Sequence, residues 1–217
     1  MDKNKYNINT YEDSKSVEHY SKKEYITLIE KHLIKKYFRG EILDLGCGSG
    51  RTTRYLYEKG YNVLGVDISK NLIKDAKKKY PKIKFEVGDA CNLRFNNNSF
   101  DVVFFSFNGL DYVYPEKKRI KALKEIERVL KPGGYFIFSS HNTGALFFKP
   151  RPRFLLRNIF KKSLFNRYKF EKDSFGELYT YYGFPAKQRS LIKKNTSMKF
   201  IETKRRGLSN IQVHYVF

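Results

Sequence analysis

The sequence predicts an α/β protein built on a doubly wound, mostly parallel sheet with helices on both faces and an antiparallel strand pair at its C-terminal end. Three observations carry this expectation. Between residues 41 and 141, five strand-like apolar runs are interleaved with segments of helical period, an alternation that gives a parallel sheet covered on both sides. The run "SFDVVFFSF" (99–107) is apolar almost throughout, as expected of a strand in the middle of such a sheet. The first strand also passes through three closely spaced glycines, Gly46, Gly48 and Gly50, directly into a helix.

Taken in order, Tyr25, Ile26, Ile29, Leu33 and Tyr37 recur at helical spacing and predict a helix from Ser14 to about Phe38, closed by Gly40. "EILDL" (41–45) reads as a buried strand, and "GCGSGRTTRYLYEKG" (46–60) as the glycine loop and a helix that stops at Gly60. "YNVLGVD" (61–67) is the second strand. Ser69 is placed to cap the next helix, which Pro81 ends. "KIKFEVGD" (82–89) alternates as a third strand, and 99–107 is the fourth. "PEKKRIKALKEIERVL" (115–130) begins on Pro115, the favoured first helical position. A turn at Lys131-Pro132-Gly133-Gly134 then leads to "YFIFSSH" (135–141), the fifth strand.

Beyond His141 the alternation stops. A helix is expected from Pro185 to Lys194, followed by "MKFIETKRR" and "NIQVHYVF", an antiparallel pair turning at Gly207. No internal repeat or low-complexity linker interrupts the chain. The expectation is therefore one domain over 1–217, with a core at about 38–141, a lid or acceptor segment at about 145–185, and the C-terminal helix and strand pair at about 185–217.

Composition narrows the class. With 41% apolar and 17% aromatic residues the chain should fold. No apolar run is long enough to span a bilayer, and the N-terminal stretch lacks the apolar centre of a signal peptide. Two cysteines, Cys47 and Cys91, make no disulfide framework and suit a reducing, cytoplasmic setting. A net charge of +22 suggests nucleic acid or an anionic membrane surface as a partner. The alternative is compositional: richness in Lys, Asn, Ile and Tyr is what an AT-rich coding sequence produces, with the lysines simply solvated.

A glycine loop between a strand and a helix lets a ligand lie against the backbone and presents free N–H groups at the helix N-terminus. Loops that hold a dinucleotide pyrophosphate read G-x-G-x-x-G. Here the spacing is G-x-G-x-G, with Asp44 just ahead of it. That carboxylate is a poor neighbour for pyrophosphate and a good one for an ammonium group.

"LDLGCGSG" resembles the first motif of class I S-adenosylmethionine-dependent methyltransferases. The resemblance spans about residues 38–141 and includes Asp67 at the end of the second strand, Asp89-Ala90 after the third, and "RVLKPGGYFIF". It implies a seven-stranded Rossmann-like sheet, S-adenosylmethionine as cofactor and S-adenosylhomocysteine as product. By the same resemblance, Gly46, Gly48 and Gly50 let the methionine part of the cofactor lie on the backbone, its carboxylate towards the helix N-terminus. Asp44 is placed near the amino group, and Asp67 accepts from the ribose hydroxyls. Ile68 covers one adenine face, and Asp89 with the Ala90 backbone meets the adenine edge. Ser106 to Asn108, Asn108 included, lie next to the reacting methyl group. Each acid also has a plainer reading: Asp44 as a brace of the loop, Asp67 as a helix cap, Asp89 as a turn former. Cys47 is a small filler.

Methyl transfer from a sulfonium is an in-line displacement, so the protein mainly positions and desolvates. An oxygen acceptor usually needs a base. His141, at the carboxyl end of the fifth strand, is the candidate, with a structural histidine as the equally simple reading. Asp111 and Tyr112 face the same edge as alternatives. His19, His32 and His214 read as surface or packing residues, and Tyr11 and Tyr20 as residues able to close over the cofactor. No Asn/Asp-Pro-Pro-Tyr/Phe run and no Pro-Cys nucleophile follows the fourth strand, and no trio of acids suggests a metal. Elimination leaves a small-molecule acceptor, methylated on oxygen or nitrogen.

Ala145 to Phe175 mixes basic and aromatic residues, with Leu155, Leu156, Ile159 and Phe160 on one helical face and Arg153, Arg157 and Lys161 on another. A lid over the acceptor site is the leading expectation, its cations drawing in an anionic or membrane-associated molecule. Methylation of tRNA or rRNA, or a catalytically silent scaffold that binds RNA or anionic membrane, stays open as the alternative. "NTSMKF" lacks the glycine-aromatic pair that usually precedes the sixth strand, which leaves the register of the terminal pair open.

Overall fold

A computed structural model describes residues 3–142, 168–172, 176–205 and 212–217. The first five strands are β1 (Glu41–Leu45), β2 (Asn62–Asp67), β3 (Lys84–Val87), β4 (Phe100–Phe105) and β5 (Leu130–His141). They pair in parallel, with β1 between β2 and β4. Two more, β8 (Glu202–Lys204) and β9 (Gln212–Val216), complete a seven-stranded sheet in the order β3-β2-β1-β4-β5-β9-β8. The expected Rossmann-like architecture, antiparallel pair included, is what the chain adopts. Strand order reverses between β1 and β4, and α/β sheets bind ligands in the crevice that opens at such a point.

Alternate β4 and β5 side chains feed two apolar layers, as the period of two along a strand requires. Val102, Phe104 and Ile137 pack with Leu33 and Ile34 of α3 (Leu28–Tyr37) and Leu56 of α4 (Arg51–Glu58). Val103, Phe105, Phe136 and Phe138 pack with Ala122, Leu123 and Ile126 of α6 (Glu116–Val129). The helix α5 (Lys70–Lys79) begins on Ser69, whose Oγ accepts from Leu72 N at 3.1 Å, as its spacing predicts.

Several local expectations need correction. The helix expected from Ser14 to Phe38 is two helices, α2 (Ser14–Ser21) and α3, and a further one, α1 (Lys3–Glu12), precedes them. The break is enforced by Thr27, which forms a capping box with Glu30: Glu30 N donates to Thr27 Oγ1 at 3.1 Å, and Thr27 N donates to Glu30 Oε2 at 2.8 Å. Lys131 to Gly134 do not end one element and begin another; they lie within β5, which changes register against β4 between Phe100 and Val102. Most of the lid or acceptor segment expected at about 145–185 lies outside the described residues; its described part includes an antiparallel pair of β6 (Tyr168–Lys172) and β7 (Glu177–Tyr181). The helical faces expected between Arg153 and Lys161, and the turn expected at Gly207, fall outside the described residues. A last helix, α7 (Pro185–Asn195), packs on α6. The terminal register left open by "NTSMKF" pairs Glu202 with Val216 and Lys204 with His214. Among the described residues no helix is long and apolar enough to cross a membrane.

Candidate active site

The glycine loop is pinned to the neighbouring strand: Gly46 N and Cys47 N both donate to Val66 O, at 2.7 and 3.1 Å. Gly46 has φ +68°, and a Cβ there would stand 2.5 Å from the Phe105 ring. Any side chain would therefore push the loop off β4. At Gly48, φ is +56° and the nearest atom to an added Cβ is a Tyr20 ring carbon at 3.9 Å; a side chain there would enter the cavity beside the loop.

Asp67 ends β2 and joins the loop to α5. Its Oδ2 accepts from Gly48 N at 2.8 Å and its Oδ1 from Ser69 N at 2.9 Å. Burial raises its pKa despite those two donors. Asp44, fully buried near the end of β1, accepts from Thr53 Oγ1 at 2.6 Å through Oδ2, while Oδ1 has no partner. Desolvation dominates, and with some help from Glu30 and Asp67 it pushes the carboxyl up to about 7 against the pull of Thr53 and Arg51. An unpaired, buried carboxylate oxygen ahead of a glycine loop suits a ligand that carries an ammonium group.

Among the described residues a cavity opens at this edge. Of the residues singled out from the sequence, Gly46, Gly48, Asp67, Ile68, Asp89, Ala90 and Ser106 line it. Asp44, Gly50, Asn108, Asp111 and His141 do not. Asp89 Oδ1 accepts from Cys91 N at 2.8 Å, so the acid also shapes its own turn. The N-terminal helices roof the cavity with Asn7, Ile8, Tyr11 and Tyr20. Tyr11 sits 6.0 Å from the ring of Tyr20 and 5.7 Å from that of Tyr112. The roof is tied down at both ends: the Glu12 carboxylate accepts from Lys70 N and Asn71 N at the start of α5. Asn7 donates to Tyr112 O and Tyr179 O, each at 2.9 Å.

Sequence reasoning did not find the buried ion pair at the cavity wall, where Arg51 is a lining residue. Arg51, the first residue of α4, donates from Nη2 to Glu30 Oε1 at 2.7 Å and from Nη1 to Glu30 Oε2 at 3.1 Å. Burial would raise the Glu30 carboxyl, but the guanidinium and the Thr27 N–H outweigh it and hold it low. Arg51 also donates to Tyr25 O at 2.8 Å and lies 4.2 Å from the Phe107 ring centre. The only signal in the sequence was the position of Arg51 directly after the loop.

His141 and Asp111 are brought together, behind the cavity wall. Asp111 is fully buried. It accepts from Ser140 Oγ at 2.8 and 2.9 Å and from His141 N at 2.7 Å, and pairs with Arg119 at 3.4 Å. His141 Nδ1 lies 3.0 Å from Asp111 Oδ2, and Nε2 lies 3.1 Å from Asn108 Nδ2. Asn108 Oδ1 accepts from Gln212 Nε2 at 3.2 Å, which turns the amide so that its NH₂ faces the ring. The imidazole therefore carries its proton on Nδ1 and accepts on Nε2. The Asp111 oxygens are thus committed to Ser140, His141 and Arg119. Among the described residues no cluster of three His, Cys, Asp or Glu side chains could hold a metal.

Comparison with known proteins agrees with this architecture. A family model described as a methyltransferase domain matches residues 43–138. A demethylmenaquinone methyltransferase of Paenarthrobacter aurescens is 36% identical over 121 residues, 55% of this chain and 46% of that protein. An uncharacterised protein of Methanocaldococcus jannaschii is 34% identical over 161 residues, 72% of this chain and 58% of its own length. The chain thus spans about half the length of the curated relatives it matches. A crystal structure of a SAM-dependent methyltransferase from Methanosarcina mazei superposes with a TM-score of 0.72 at 25% identity, covering 88% of this chain and 96% of that one.

Proposed function

We propose, from the premise that residues 43–138 form a class I S-adenosylmethionine-dependent methyltransferase domain, that the chain transfers a methyl group to an oxygen or nitrogen of a small molecule. The observation that carries this reading is the acid-flanked glycine loop at the strand-order reversal, with Asp67 clamped to Gly48 N and Asp44 Oδ1 unpaired. When bound, the cofactor supplies a methyl group already activated on a sulfonium. The loop backbone from Gly46 to Gly50 would hold its methionine part and Asp67 the ribose, while Asp44, just behind the cavity lining, would turn its unpaired Oδ1 towards the ammonium. Ile68, Asp89 and Ala90 would border the adenine, and Ser106 the reacting end.

The remaining work is positioning, exclusion of water and proton removal. Tyr11, Tyr20, Phe107 and Tyr112 give the cavity aromatic walls that exclude water. For an oxygen acceptor, His141 is the proton-accepting group: Asp111 holds Nδ1–H and so leaves Nε2 to accept, and Asn108 must swing aside to expose it. Relatives named as demethylmenaquinone methyltransferases support a small molecule as acceptor. Incubating metabolite extracts with methyl-labelled cofactor tests the reading. Label in a small-molecule fraction is the expected outcome, whereas label in RNA, or RNA or vesicle binding with no turnover, would replace it.

Two further results are expected. His141→Gln should lower turnover of an oxygen acceptor by about a hundredfold or more while leaving cofactor affinity at the wild-type value. Loss of cofactor affinity in the same proportion would assign the residue to structure instead. The second is a pH effect at Asp44. The folded, ligand-free protein keeps this proton up to about pH 7, while the unfolded chain releases it near 3.8. Stability of the ligand-free protein should therefore fall as pH rises through that window. An ammonium ligand needs the ionised form, so cofactor affinity should drop by about tenfold per unit below pH 7. Calorimetric titration across that range checks it; a flat profile, or an unchanged slope in Asp44→Asn, would remove Asp44 from the site.

A further inference from the structure

We propose that Tyr25 and the outer face of α3 form a docking surface for an anionic lipid bilayer, placed so that the mouth of the cavity opens towards the membrane. The inference rests on the functional reading only in treating this cavity as the place where an acceptor enters.

The surface is apolar at its tip and cationic along its length. Leu28 is 76% exposed, the most exposed large apolar side chain described, and Tyr25 is 60% exposed. Leu28, Lys31, His32 and Lys35 follow one another at i, i+3, i+4 and i+7 and are all exposed, while Leu33, Ile34 and Tyr37 on the same helix are buried. Across residues 22–36 there are five lysines and two glutamates, and one of those glutamates, Glu30, is sealed against Arg51. The other acid, Glu24, lies 3.9 Å from Lys79. The net charge of the stripe is positive, in a chain of +22.

The tip is also held rigidly at the cavity. Tyr25 O accepts from Arg51 Nη1 at 2.8 Å. The Tyr25 ring lies 6.3 Å from the ring of Phe107, a cavity-lining residue. Exposed apolar surface thus runs from Leu28 and Tyr25 to the cavity wall. Tyrosine and leucine at an interface, backed by lysines one and two turns away, match the layering of a bilayer surface: acyl boundary first, then phosphate. A nucleic acid would engage the lysines and the tyrosine but would gain nothing from Leu28, which is why the bilayer is the occupant chosen.

Flotation of the full chain with phosphatidylcholine vesicles, with and without phosphatidylglycerol, tests this. The wild type should float with the anionic vesicles only, and added salt should release it. Lys31→Gln and Lys35→Gln should each weaken binding by about fivefold, and Leu28→Gln should weaken it further. Cofactor titration on the same preparations, expected at wild-type affinity, shows that the variants are folded. No association of the wild type, or undiminished association of the combined Leu28, Lys31 and Lys35 variant, would overturn the proposal. So would a Leu28-dependent change of mass in solution without vesicle binding, which would assign the stripe to a second copy of the chain. Failure of the methyltransferase reading would look different: vesicle binding intact, but no cofactor binding by the wild type.

Discussion

Asp67→Ala should lose S-adenosylmethionine affinity by at least about a hundredfold, because hydrogen bonds to a charged group contribute about 1.5–3 kcal/mol each and two to the ribose are at stake. The loss has a second source within the chain itself. The carboxylate accepts from Gly48 N and Ser69 N, so its removal orphans two buried donors and releases the glycine loop from the end of β2. Asp67→Asn separates the two contributions. It retains one acceptor oxygen and should bind more tightly than the alanine variant, though more weakly than wild type. Isothermal titration with the cofactor and with S-adenosylhomocysteine measures both, and wild-type affinity in Asp67→Ala would end the assignment of this residue to the cofactor.

Arg119→Met should lower the stability of the protein by about 3–5 kcal/mol, the usual consequence of leaving a buried charge without its counter-ion. Arg119 is fully buried in α6, pairs with Asp111 at 3.4 Å, hydrogen-bonds to Gln188 and stacks 3.8 Å from the Tyr181 ring centre. Its Nε and Nη1 have no partner among the described groups, so the arginine is retained at a desolvation cost and its value lies in neutralising Asp111. Methionine keeps much of the volume and none of the charge. Adding Asp111→Asn should recover most of the loss, and the double-mutant cycle isolates the uncompensated carboxylate from lost packing. Denaturant titration reads the effect as a shift in midpoint at unchanged slope. Neither residue lines the cavity, so cofactor affinity should stay near wild type. A shift of less than about 1 kcal/mol in the single variant would show that Ser140 and His141 alone satisfy Asp111.

Much of this protein is legible in its sequence because much of it is decided locally. The order of strands and helices, the Ser69 cap, and the glycine loop with an acid at the end of each flanking strand all depend on residues within a turn or two of one another, where backbone propensity and capping act. The single helix expected from Ser14 to Phe38 failed for the same local reason: the Thr27–Glu30 capping box outranks the apolar period running through it. What the tertiary structure alone decided is the set of partners for buried polar groups. Glu30 and Arg51 are 21 residues apart, Asn7 and Tyr179 172 apart, and Gln188 and Asp111 77 apart. No periodicity links them; each pair is chosen by which distant segments the sheet brings together. The same holds for His141. The sequence placed it at the edge where ligands bind, but only the packing of β9 beside β5, which sets Gln212 against Asn108 and Asn108 against the imidazole, determined that it stands behind the cavity wall with both ring nitrogens engaged. Local rules select elements over a few residues at little entropic cost, whereas a buried charge must find its counter-ion among whatever side chains the completed core places beside it.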